Sequence, residues 1–146
     1  MIRRFELYAA GLSASAAILH GLAAPEHLAE WWGYGAFFIA ATVTQGGYAI
    51  LLALQPWRYD ATGALAPGHG GRAGRASYLV GIAGTAAIVI LYVVTRTIGI
   101  PLLGPEAGKV EELTPISVLS KLVELALIYL LVRLVRGFRT ATPGAP

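Results

Sequence analysis

No cysteine occurs in the chain, which excludes a disulfide scaffold, a Cys-ligated metal and a thiol-based quinone reductase. Charge is nearly as scarce: 13% of the 146 residues are Asp, Glu, Lys or Arg, against about a quarter in soluble domains. Hydrophobic residues supply 56%, and the mean hydropathy is +0.65. So few charges do not keep so apolar a domain dissolved, and so apolar a chain is not disordered. Catalytic signatures are missing as well. There is no P-loop, no G-x-G-x-x-G, no G-x-S-x-G and no metalloprotease helix pair. The reading that follows is an integral membrane protein, more naturally non-enzymatic than enzymatic.

What the sequence does have is long apolar runs. They cover about 5–24, 33–54, 77–99 and 115–133, each about 19–23 residues and so able to cross a hydrocarbon core of about 30 Å as a helix. The alternation of a β-barrel is absent, and backbone groups in lipid must bond within their own segment. The expected fold is all-α: an integral membrane four-helix antiparallel bundle in one domain, residues 1–139, with a flexible tail over 140–146. Pro25 suits the first turn of a short extracytoplasmic interfacial helix reaching Trp32. Gln55-Pro56-Trp57 ends the second run, and the glycines between Asp60 and Ala76 read as a loop. Thr114-Pro115 supplies an N-cap and first-turn proline for the fourth.

The charge distribution sets an orientation. Arg3, Arg4, Arg58, Arg72, Arg75, Arg133, Arg136 and Arg139 lie at one side; Glu26, Glu30, Glu106, Glu111 and Glu112 lie at the other, with Lys109. The positive-inside rule puts both termini and the Gly-rich loop in the cytoplasm of a bacterial inner membrane. The isoelectric point near 9.5 is thereby a consequence of topology and calls for no nucleic-acid partner. Trp31, Trp32, Tyr34 and Trp57 fall at the expected interfaces. A competing reading takes Met1 to Arg4 as the n-region of a signal peptide cleaved near Ala23 or Ala24, although Glu6, His20 and Pro25 fit it poorly.

Polar residues inside the runs are the informative ones, because a charge at the bilayer centre costs at least about 2.5–3.5 kcal/mol. They are His20, Gln45, Arg96, Lys121 and Glu124. Helical rise puts Lys121 about 9 Å and Glu124 about 13 Å in from Pro115, and Gln45 about 18 Å in from Gly33. Ser117, Lys121 and Glu124 share one face of the fourth helix. That face is expected to turn inward, with Arg96 as its partner and Lys121 and Glu124 partly neutralising each other. Two meanings stay open. The groups hold helices in register, or they line a polar ligand pocket of Gln45, Arg96, Lys121, Glu124 and Ser117 that opens to the extracytoplasmic side. A quinone-linked redox enzyme or transporter component is an alternative use of the same cavity. A bland version is an accessory subunit of a larger assembly or a homo-oligomer, presenting a lipid-facing groove of Ala9, Gly11, Ser13 and Ser15.

A second constellation is His20 with His27 and Glu30, the latter two at i, i+3. Two imidazoles and a carboxylate suit Zn or Cu at the outer surface, and equally suit a solvated helix end. His69 falls in the Gly-rich loop. The outer loop from Gly99 to Gly108 is either a connector or a lid carrying Glu106.

The stretch His20 to Gln45 contains Pro25-Glu26-His27, Glu30-Trp31-Trp32-Gly33-Tyr34-Gly35 and Phe37-Phe38. Farther on come Thr95-Arg96-Thr97-x-Gly99-Ile100-Pro101 and Gly104-Pro105-Glu106. Together they resemble a group of small, uncharacterised four-span bacterial integral membrane proteins of actinobacterial type. The resemblance runs to about Arg133. It implies the fold and brings no activity with it.

Overall fold

A computed structural model describes residues 2–59, 62–65, 71–99, 104–105 and 107–139. His69, the loop residues 101–103, Glu106 and the tail lie outside them. The described chain is helical: α1 Ile2–Glu30, α2 Trp32–Leu54, α3 Gly71–Thr97 and α4 Pro115–Arg139, with a 3-10 turn at Pro56–Arg58. Its one strand-like feature is an isolated bridge between Tyr59 and Leu65. Three helices, α1 to α3, are long and apolar enough to cross a membrane.

The separate interfacial helix expected from Pro25 does not form. Pro25 sits inside α1, which runs on to Glu30. A proline removes one N–H, so the Gly21 carbonyl loses its helical partner, but the flanking turns carry the helix through. The break comes at Trp31, whose backbone is extended (φ −167°, ψ 136°). Its N–H still reaches the His27 carbonyl at 3.0 Å, while its carbonyl accepts from Tyr34 at 3.1 Å and Gly35 at 3.2 Å. One residue therefore turns the chain from α1 into α2. Gly35 permits this, because a Cβ there would overlap Leu28 of α1.

The third helix also begins earlier than its apolar run, at Gly71 rather than near Ser77. The polar first turns from Gly71 cost nothing in hydropathy, because they extend beyond the apolar segment. Gln55 ends α2 in the left-handed conformation (φ 52°) and returns its N–H to the Leu51 carbonyl at 2.9 Å.

α1 packs along both α2 and α4, and α4 also packs on α3, whereas α2 and α3 hardly touch. The buried apolar core gathers Ala9, Ala10, Leu52, Tyr78, Leu127, Leu131 and Leu134, where α1 begins and α4 nears its end. Elsewhere large apolar side chains face outward, among them Ile18, Val43, Val80, Ile90 and Leu122. A shell of that kind suits lipid and not water.

Where α2 and α3 do meet, Tyr48 makes the bridge. Its hydroxyl donates to the Ser77 carbonyl at 3.1 Å and lies where a Cβ on Gly81 would stand. Gly81→Val is therefore expected to displace Tyr48 and to destabilise the protein by about 1–3 kcal/mol, read from unfolding in a detergent titration. An unchanged midpoint would mean that this contact is not formed in the folded protein.

Candidate functional site

Four polar side chains from three helices converge. Glu124 of α4 is fully buried. His20 Nε2 of α1 donates to its Oε1 at 2.7 Å, and Gln45 Nε2 of α2 donates to the same oxygen at 3.4 Å. Lys121, one turn earlier on α4, pairs with Oε2. The carboxylate thus meets donors on both oxygens, which is how a charge is held away from water. A hydrogen bond from Ser13 Oγ to the Gln45 carbonyl, at 2.7 Å, fixes α1 against α2 at this level. The Lys121 ammonium also stands 5.1 Å from the centre of the Tyr92 ring of α3.

Two residues expected here are used otherwise. Arg96 does not reach Glu124; it pairs with Glu111 and lies over Tyr92, 4.8 Å from the ring centre. Glu111 gets there because its own N–H bonds the Thr95 carbonyl at 3.1 Å, folding the outer loop onto the end of α3. Arg96 thus finds its carboxylate beyond the apolar run instead of inside it. Ser117 acts in a cap. Its N–H donates to Thr114 Oγ1 at 3.2 Å, and its hydroxyl accepts from the Thr114 N–H at 3.1 Å.

The candidate metal residues are shared between two pairs. His20 is engaged by Glu124. His27 meets Glu30 at 2.9 Å and stacks on Phe38, with ring centres 4.1 Å apart. Among the described residues, no group of three or more His, Cys, Asp or Glu side chains is placed to hold an ion.

A second buried cluster is one that no local sequence pattern marks out. Glu6, 1% exposed, takes Tyr78 Oη on one oxygen and Arg58 on the other, linking α1, α3 and the 3-10 turn. Trp57 stands edge-on to Tyr78 at 5.7 Å. The available signal was a glutamate inside the first apolar run, followed by an arginine directly after the second.

Beside the first cluster lies open space. A groove of about 400 Å³ separates α2 from α3; Phe37, Ala41, Gln45, Tyr48, Gly84 and Ile88 are among its walls. Its rim is apolar and exposed at Val80. The small-residue groove expected on α1 is absent, since Ala9 and Ser13 are wholly buried. Of the residues expected to line a pocket, Gln45 lines this groove, while Arg96, Ser117, Lys121 and Glu124 stand away from it. The Thr44 hydroxyl is spent on the Ala40 carbonyl at 2.7 Å. Gln45 Oε1 is buried with no hydrogen-bond partner. No protein-family model, curated protein or solved structure matches the chain.

Proposed function

We propose that this is a four-span, non-enzymatic ligand-binding protein of a bacterial cytoplasmic membrane, akin to the small actinobacterial-type proteins it resembles. Its ligand enters sideways from the bilayer into the α2–α3 groove. The observation that carries this reading is the groove itself. A cavity of about 400 Å³ falls within the usual range for small-molecule sites, and its largely apolar wall includes the buried polar residues Gln45 and Thr85. Native mass spectrometry from lipid nanodiscs tests it. The wild-type protein is expected to retain a lipophilic mass that Gly84→Leu loses, because Gly84 lines the groove and a Cβ there meets nothing within 4 Å, which leaves room for the added side chain to occupy the groove. A wild-type protein carrying no such mass would sink the proposal.

The fourth span is α4. Its 25 residues reach about 37 Å. Its two mid-helix charges face inward and pair with each other, while Leu119, Leu122, Leu125 and Tyr129 are exposed. Both termini are then cytoplasmic. Because the native chain has no cysteine, single substitutions report directly. Lys109→Cys is expected to react with an impermeant maleimide in intact cells, and Thr62→Cys and Arg136→Cys only after permeabilisation. Labelling of Lys109→Cys and Arg136→Cys from the same side would show that α4 does not cross.

A further inference from the structure

We propose that the end of the bundle where α3 begins and α4 finishes binds an anionic phospholipid. Its phosphate is held by Arg133 and Arg136, with Arg72 and Arg75 beside them, and its acyl chains lie along the apolar outer face of α4. The inference is independent of the α2–α3 groove and uses only the reading that α3 and α4 cross the membrane.

Arg133 and Arg136 follow Tyr129 at i+4 and i+7, so all three share one face of α4. That face looks outward: Tyr129 is 58% exposed, and both arginines are exposed. Arg133 Nη1 donates to the Tyr129 hydroxyl at 3.0 Å, and the guanidinium stands 5.9 Å from the centre of the ring. One N–H is thus spent on holding the side chain in place, and the rest of the planar fork is open to two oxygens of one anion. α3 brings Arg72 and Arg75, both exposed, to the same end. Tyr78, one turn after Arg75, packs in one core cluster with Leu131 and Leu134 of α4. No carboxylate answers this charge. Glu6 is the one described carboxylate at this end, and Arg58 and Tyr78 engage both its oxygens. Arg58, Arg96 and Lys121 each have an acidic partner, whereas none of these four arginines does among the described residues. Membrane topology accounts for the sign of the charge on this side. It does not account for like charges that two packed helices bring together without a counter-ion, and a bound anion relieves their repulsion.

Position decides which anion fits. Next to the arginines the outward faces turn apolar, with Leu122 and Leu125 exposed on α4 and Leu79 and Val80 on α3. Tyr129 stands at that boundary, where interfacial aromatic side chains belong. An anion seated there has water on one side and hydrocarbon on the other. A phospholipid satisfies both, since its phosphate meets the guanidinium groups while its chains cover the leucines. A free phosphate gains nothing from the apolar face.

The test is a titration of the full chain, delipidated in detergent, with phosphatidylglycerol or phosphatidylcholine of the same acyl chains, the adducts being counted by native mass spectrometry. Phosphatidylglycerol is expected to bind at least about tenfold more tightly. Each arginine near an anionic lipid is worth a factor of about five, so Arg133→Gln/Arg136→Gln is expected to weaken the phosphatidylglycerol adduct about 25-fold and to leave the phosphatidylcholine adduct unchanged. Arg133→Lys/Arg136→Lys, which keeps the charge, is expected to retain the preference. So are Lys109→Gln, at the opposite end, and Gly84→Leu, in the groove. All of the substituted arginines are exposed, so these variants are expected to unfold at the wild-type midpoint. Equal affinity of the wild type for the two lipids overturns the proposal. A preference that survives intact in Arg133→Gln/Arg136→Gln overturns the placement on α4. Displacement of phosphatidylglycerol by an equal concentration of inorganic phosphate would mean that the arginines take the anion alone, and overturns the lipid as ligand.

Discussion

Glu124→Leu is expected to destabilise the protein by about 3–5 kcal/mol, the usual loss when one partner of a buried ion pair is removed. The carboxylate is fully buried, and without it the Lys121 ammonium, whose side chain is 11% exposed, and the His20 ring lose the group they converge on. Gln45 loses its acceptor as well. The double variant Lys121→Met/Glu124→Leu is expected to recover a large part of the loss, because it leaves no unpaired charge and keeps similar volume. Lys121→Met alone should cost less than Glu124→Leu, since His20 still donates to Glu124 at 2.7 Å. The measurement is the unfolding midpoint in a detergent titration. A double variant no more stable than Glu124→Leu would show that the charges are not coupled.

The second large effect lies where α1 begins. Arg58→Met leaves the Glu6 carboxylate, 1% exposed, with the Tyr78 hydroxyl and no cation. A loss of about 3–5 kcal/mol is expected, on the same ground. Tyr78→Phe keeps the ring packed against Trp57 and removes only the donor, so about 1–3 kcal/mol is expected. The Glu6→Gln/Arg58→Met double is expected to be more stable than Arg58→Met alone. Equal unfolding midpoints for the two would place Glu6 in contact with water.

The helices were legible in the sequence because apolar runs of that length have few other uses in a membrane. The inward face of α4 was legible too, since i, i+3 spacing on one helix needs no knowledge of its neighbours. Contacts between helices were not. Which residue of α1 meets Glu124 depends on the register of two packed helices, and no local pattern states it. Arg96 pairs with Glu111 and not with Glu124, because a position along a helix does not reveal a loop that folds back onto the helix end. Glu6 and Arg58 read as charges at the ends of runs, where charges are ordinary. Their pairing needs the chain to bring the start of α1 beside the turn after α2. The proline at 25 misled because it marks a missing hydrogen bond, not necessarily the end of a helix.

The one-residue turn at Trp31 bears on assembly. It leaves no slack between α1 and α2, so the two helices are tied as one hairpin from this end and no linker has to be ordered to bring them together. The Ser13 hydroxyl and the Gln45 backbone carbonyl belong to that same hairpin, so their bond forms within a local unit of the chain.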